Sequence, residues 1–458
     1  MSEYDGFVAR ADVKVFDDDH RKKIRKATAS HEVAVNAMKD DQFVDWQSAR
    51  SLAGDIKDAA LAELPDLLER FEERISARGV RVLWATNKDE AQHLVLDIAR
   101  HHHARRVVKT KSMTTEEIDF NELFEDDGIE VWESDLGELI VQLAGEKPYH
   151  IVTPAMHKSK DDIAELFHEK LGAPRGAEAE ELTMIARAHL RDAYVTAHVG
   201  VSGANFIVAE EGAVVMTENE GNGRLTMACP RVHIVVVGIE KVIPSLADLA
   251  LFLPLLATSG TGQQVTCYNS VIRGPRTPDE PDGPEHMYVV LLDNGRSEIY
   301  SRETFRQSLR CIRCGACLNA CPVYRAVGGH TYNTTYPGPI GSVITPHLRG
   351  VEEWAHLSYA SSLCGSCSDV CPVKIDLHHL LLENRSESLK AGGVFWKLAM
   401  KMWSLVMRRR WRLRFARRVF CTFEGVVRFL TPKKKLARVP RLARQSFAEI
   451  WRSRNGES

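Results

Sequence analysis

Seven cysteines in two short runs constrain this chain of 458 residues more than any other feature. The first run, Cys311-Ile-Arg-Cys314-Gly-Ala-Cys317-Leu-Asn-Ala-Cys321-Pro322, has the spacing C-x2-C-x2-C-x3-C-P. The second, Cys364-Gly-Ser-Cys367-Ser-Asp-Val-Cys371-Pro372, repeats the closing C-x2-C-x3-C-P and carries Ser361 where a leading cysteine would stand. Thiolates two residues apart wrap three irons of a cubane, while the cysteine before proline is turned away at a helix start and ligates the neighbouring cluster. The spacing therefore predicts crossed ligation. Cys311, Cys314, Cys317 and Cys371 hold one [4Fe-4S] cluster, and Cys321, Cys364 and Cys367 hold the other. Two readings stay open for the three-cysteine member: a second [4Fe-4S] with Ser361, water or a partner's group on its fourth iron, or a [3Fe-4S] lacking that iron. Zinc also takes C-x2-C pairs, but seven cysteines with two C-x3-C-P endings fit four-ligand zinc sites poorly.

The remaining cysteines, Cys229, Cys267 and Cys421, are scattered. That distribution argues against a disulfide framework and for a reducing, cytoplasmic compartment. No run of eighteen apolar residues occurs and the first 25 residues are charged throughout, so neither a spanning helix nor a secretory signal is expected. The near-neutral net charge of −2 hides an asymmetry, since eighteen Lys and Arg face three Glu from Ala391 onward. A basic tail follows an acidic body.

Four segments follow in order. Residues 1–75 read as a helical lead-in, with apolar residues at three and four spacing from Leu52 to Ile75. Residues 76–300 alternate strands and helices, the pattern of an α/β domain with a parallel sheet covered on both faces. Expected strands are Val80–Ala85, Arg106–Lys109, Ile129–Trp132, His150–Thr153, Asn205–Ala209, Gly212–Met216, His233–Val237 and Tyr288–Leu292. Helices are expected over Lys88–His101 and Leu182–His198. Residues 301–390 form an α-helical ferredoxin-like module with a Gly/Pro-rich insert between the cysteine runs. Residues 391–458 form a basic helical region in which Phe395, Trp396, Met402 and Trp403 interleave with Lys397, Lys401 and the Arg408–Arg410 block. A solvated basic helix, docking on an acidic partner subunit, and contact with an anionic membrane surface all suit that tail. No nucleic-acid recognition motif accompanies the charge.

Within the sheet domain, three glycine-punctuated stretches offer backbone amides to an anion: Gly200–Asn205, Glu218–Arg224 and Ser259–Gln263. Each taken alone is equally a turn with capping Asn or Ser. None matches G-x-G-x-x-G between a strand and a helix, so a nicotinamide site is weakly supported. His157, Lys158 and Arg224 are candidate carboxylate binders and Glu220 a candidate base. His101-His102-His103 sits at an expected helix end, where the dipole explains it better than a metal does. Asp282-Gly283-Pro284 and Asp293-Asn294-Gly295-Arg296 read as hairpin turns.

Several separated motifs occur in an order that resembles the lactate utilisation protein B family. They are Lys111-Ser112-Met113-Thr-Thr-Glu116-Glu117-Ile118, Pro154-Ala-Met-His157-Lys158, Gly203-Ala-Asn205-Phe206, Asn219–Arg224, Asp293–Arg296, the first cysteine run and Tyr336-Pro-Gly-Pro-Ile-Gly341. The resemblance implies a lactate-utilisation domain of CoA-transferase-like fold, two [4Fe-4S] sites and a family-specific C-terminal region. It implies two partner subunits, one cysteine-rich and one with its own lactate-utilisation domain. The family's second run likewise has three cysteines, so Ser361 is no departure. The expected function is electron transfer in the oxidation of L-lactate to pyruvate. Two other readings compete: the α/β domain itself oxidises a 2-hydroxy acid, or the chain is mainly a scaffold for partners.

Overall fold

The computed structural model describes residues 2–391, 394–430, 443 and 445–455. Two compact units are distinguished, Met1–Arg385 and Ser386–Ser458.

The first unit begins with four helices, each started by the residue that its backbone needs. Asp17 caps α2 (Asp18–Gln42) by accepting from His20 N, and Asp45 caps α3 (Trp46–Ala62) through Gln47 N and Ser48 N. Ser2 does the same for α1 (Glu3–Val15), whereas α4 (Leu64–Ser76) carries a proline in its first turn. The apolar stripe of α4, Leu64, Leu67, Leu68, Phe71 and Ile75, is wholly buried. In α5 (Lys88–His101), capped by Asn87, the boundaries match the sequence pattern to the residue.

Strands β1 (Arg81–Ala85), β2 (Arg106–Lys109), β3 (Glu130–Glu133), β4 (Val199–Ser202), β7 (Val232–Gly238) and β10 (His286–Leu292) make the main sheet. Its order is β1-β10-β7-β4-β2-β3, and every neighbouring pair is parallel. Successive side chains alternate between two cores. Met287, Val289 and Leu291 of β10 enter one, and Tyr288, Val290 and Leu292 enter the other. That two-sided burial explains the near-continuous apolar runs of the sequence. The chain passes from β2 outward to β3, then back across to β4 and on to β7, so its direction reverses between the adjacent strands β2 and β4.

A second, smaller sheet is not announced by the sequence pattern. Strands β5 (Phe206–Val208), β6 (Ala213–Glu218), β8 (Val242–Ile243) and β9 (Tyr268–Ile272) pair in the order β8-β5-β6-β9. The short break after β4 lets the chain leave the main sheet, and a left-handed glycine at Gly212 (φ 57°) folds β6 back along β5.

Two local expectations fail for identifiable reasons. His150–Thr153 is a turn rather than a strand, because the His150 ring accepts at Nδ1 from the amides of Val152 (3.1 Å) and Thr153 (3.2 Å) and folds the backbone on itself. Asp293–Arg296 starts a helix rather than a hairpin. Asp293 takes the Ser297 amide and hydroxyl, and Arg296 enters the core at 2 % exposure. Asp282-Gly283-Pro284 connects β9 and β10, which lie in different sheets, so it closes no hairpin ladder either.

The second unit is helical over Val394–Met407, Arg410–Leu430 and Phe447–Asn455. Trp403, Trp411, Phe415 and Phe423 are exposed on it. The side chains of Val394 to Lys397 and all of the charged residues from Lys433 to Arg444 lie outside the described residues. Among the described residues, no helix is long and apolar enough to cross a membrane.

Candidate functional site

The first cysteine loop is bent by two left-handed residues, Arg313 (φ 61°) and Gly315 (φ 77°), which put Cys314 at the crest between them. A Cβ on Gly315 would stand 2.9 Å from the His150 ring and 3.0 Å from Val152, so the loop lies directly against the turn at residues 150–152. Cys311, Cys314 and Cys317 line one cavity together with Cys371, and Ile151, Ile312, Ile340, Val373 and Ile375 complete its walls. Backbone amides already point at the sulfurs, Arg313 N at Cys311 Sγ and Ile375 N at Cys371 Sγ, both at 3.4 Å. Burial pushes the thiols of Cys314 and Cys317 well up and that of Cys371 to about 11. All four are free of disulfides. Buried, unpaired thiols around an apolar cavity fit an iron–sulfur core, because bound iron supplies the positive charge that keeps them as thiolates.

The second loop repeats the path of the first. Leu363 (φ 54°) and Gly365 (φ 83°) flank Cys364 as Arg313 and Gly315 flank Cys314. Leu363 N donates to Ser361 Oγ at 3.1 Å, in the position where Arg313 N meets Cys311 Sγ. Ser361 thus takes the place of a leading ligand in geometry as well as in sequence. Cys321, Cys364 and Cys367 lie within electrostatic reach of one another, as the expected second group requires. Cys321 and Cys367 are buried and Cys364 is exposed. Hydrogen bonds involving Ser366 and Ser362 draw Cys364 below the ordinary thiol value.

A collar of buried cations surrounds these loops, and sequence reasoning missed most of it. From α3, Arg50 donates to the carbonyls of Cys371 (2.8 Å) and Ser368 (3.1 Å). One heptad on, Lys57 donates to the carbonyls of Glu240 (2.7 Å) and Val242 (3.0 Å), and burial lowers its pKa to about 7. The available signal was two cations on the apolar stripe of α3, beside Ala53, Gly54, Ala60 and Leu61. Arg313 stacks on Tyr336 at 4.3 Å and pairs with Glu240 at 3.3 Å. Arg296 grips Glu117 through two nitrogens (2.8 and 2.9 Å) and Glu240 through a third (2.6 Å), while Tyr336 donates to Glu117 (2.7 Å). This network ties the sheet's carboxyl edge to the cluster module.

The same edge opens into a cleft of about 350 Å3. In doubly wound sheets ligands bind beyond the carboxyl ends of the strands, where the chain reverses direction. Here the loops after β2 (Thr110–Thr114) and β4 (Gly203–Asn205) supply that wall. They approach so closely that a Cβ on Gly203 would stand 2.4 Å from Ser112 Oγ. Residues from all three glycine-punctuated stretches line the cleft, and so do Arg313, Cys314 and Tyr336 of the cluster module. Glu220, exposed at its surface, accepts from Leu136 N (3.0 Å), and desolvation with the neighbouring Asp135 charge raises its carboxyl.

The candidate carboxylate binders lie elsewhere. His157 and Lys158 both engage Glu146 at 2.7 Å, and Arg224 stacks on Tyr268, so none of the three lines the cleft that holds Glu220. His102 ends its helix on the Tyr288 hydroxyl (2.9 Å) and His101 lies beside it.

A parallel α/β domain whose carboxyl edge abuts paired cysteine loops defines a two-domain iron–sulfur protein. Residues 68–292 match the LUD domain family and residues 307–375 the 4Fe-4S dicluster domain family. The chain belongs to the lactate utilization protein B family. It is 45% identical over 368 residues to lactate utilization protein B of Bacillus cytotoxicus, covering 80% of this chain and 77% of that one. The Bacillus licheniformis protein of that name is 44% identical, over 79% of this chain and 76% of its own. A crystal structure of a DUF162 family protein from Deinococcus radiodurans aligns at 13% identity and a TM-score of 0.28, covering 50% of this chain and 98% of that one.

Proposed function

We propose that the chain is the iron–sulfur electron-transfer subunit of a multi-subunit system that oxidises L-lactate to pyruvate. The observation that carries this reading is the placement of the two cysteine groups. Cys311, Cys314, Cys317 and Cys371 are largely enclosed and adjoin the cleft, while the group of Cys321, Cys364 and Cys367 reaches the surface at exposed Cys364. A [4Fe-4S] cluster in the first group and a [4Fe-4S] or [3Fe-4S] cluster in the second would each carry one electron of the two that lactate releases. Arg313, Lys57 and Arg50 set positive charge and fixed backbone dipoles around the first group, which favours its reduced form. Exposed Cys364 marks the face for exchange with a partner, either the cysteine-rich subunit or the second lactate-utilisation subunit. The names of the relatives support lactate as the fuel. Scattered free cysteines suit a reducing cytoplasm, and the basic, aromatic-bearing tail suits an acidic partner or an anionic membrane surface.

Anaerobic EPR of the reconstituted chain with L-lactate and both partners tests the reading. Signals from reduced clusters that require lactate are expected. Clusters reducible by dithionite yet untouched by lactate and partners would refute it.

A further inference from the structure

Lys241 is 7 % exposed, yet its ammonium has no hydrogen-bond or ion-pair partner among the described residues. A buried cation left without a partner is costly, so native structures rarely keep one unless something else supplies the charge. Lys241 lines the cleft at the carboxyl end of β7. Two further donors on the same walls are also orphaned. Arg313 Nη1 and Thr110 Oγ1 are both buried and bond to nothing. Lys241 and Arg313 both lie within electrostatic reach of Cys311, so the first cysteine group shares their charge, and with Thr110 they suit an anion that carries several oxygens.

The acidic groups of the cleft do not fill that role. Glu218 accepts from the amides of Gly223 (2.7 Å) and Arg224 (2.9 Å), and Glu220 from Leu136 N. Glu240 does meet Arg313, but through Nη2, leaving Nη1 unmatched. We propose that the cleft is a binding site for a small carboxylate, with Lys241 and Arg313 on the carboxylate and Thr110 as a further donor on the same walls. The ligand class is a 2-hydroxy or 2-oxo acid. The choice of acid rests on the function proposed above, whereas the site rests on the orphaned donors. Cys314 lines the same cleft, so an acid held here would lie next to the first cysteine group.

Calorimetric titration of the reconstituted full chain with sodium L-lactate, pyruvate and inorganic phosphate tests this. Saturable binding of one lactate or pyruvate per chain is expected, with phosphate unable to compete at equal concentration. Lys241→Gln should weaken binding about 10- to 100-fold, the loss of one charged hydrogen bond. Iron content and far-UV circular dichroism report whether that variant is folded and loaded, and Lys241→Arg should restore binding. Absence of saturable binding, equal binding of phosphate, or a Lys241→Gln protein that shifts only the cluster potential would overturn the site. The last result would mean that the lysine balances cluster charge. Failure of the electron-transfer reading would appear instead as clusters that lactate and partners leave oxidised, with these titrations unchanged.

Discussion

Replacing Arg296 with methionine should be among the most damaging single substitutions outside the cysteines. The guanidinium is 2 % exposed and donates to both oxygens of Glu117, to Glu240 and to the Asp293 carbonyl. Methionine fills much of the volume but leaves the two carboxylates unequal. Glu240 keeps Arg313, whereas Glu117 keeps only the neutral donors Asn294 and Tyr336. Breaking a buried ion pair from one side costs about 3 to 5 kcal/mol, chiefly because the abandoned charge stays buried. That is a large share of the roughly 5 to 15 kcal/mol that holds a domain folded. Glu117→Gln in the Arg296→Met background removes the abandoned charge, so the double variant should be more stable than the sum of its single changes predicts, by at least about 1 kcal/mol. Urea unfolding followed by far-UV circular dichroism, on anaerobically reconstituted protein, measures all four corners of the cycle. A loss below about 1 kcal/mol for Arg296→Met, or strict additivity in the double variant, would refute the argument.

Cys371→Ala should remove about four irons per chain and abolish the signal of the four-cysteine cluster. An intact signal of that kind would remove the crossed assignment. Ser361→Cys should give a complete second cubane, because Leu363 N already points at that side chain as Arg313 N does at Cys311. Iron analysis and EPR should then show two [4Fe-4S] clusters and no [3Fe-4S] signal. His157 touches Glu146, which favours its charged form, yet burial wins and pulls its pKa down to about 4. The folded protein therefore resists a proton that the unfolded chain accepts below about 6.5, so this contribution is full above 6.5 and drains as pH falls toward about 4. A thermal midpoint that falls over that window in the parent and less steeply in His157→Gln is the expected result.

That Cys371 lies with Cys311, Cys314 and Cys317 on one cavity could be anticipated, because ligand spacing and the prolines at 322 and 372 are local chemistry. Strands β2 and β10 and helix α5 were legible because period and length agree there. The cleft was not. Each glycine stretch is innocent alone, and only the reversal between β2 and β4 brings Thr110, Asn205 and Glu220 to one wall. Lys241 gave no signal, since a lysine after a valine run reads as the solvated end of a strand. Its place beside Arg313 and Cys314 on one cleft becomes visible only in the fold. Strands β5 and β6 were expected, but their membership of a second sheet was not, because its outer members are a two-residue β8 and a largely exposed β9.

The cage of the first group is completed by a cysteine fifty positions beyond Cys321. One continuous core, from Ile24 in α2 to Leu381, joins the lead-in helices, the small sheet and the cluster module. The ribosome must therefore have delivered nearly the whole of the first unit before either set of ligands is complete. A ligand set drawn from both ends of the module cannot be assembled on a shorter, truncated chain, so synthesis of this unit must precede any loading of metal.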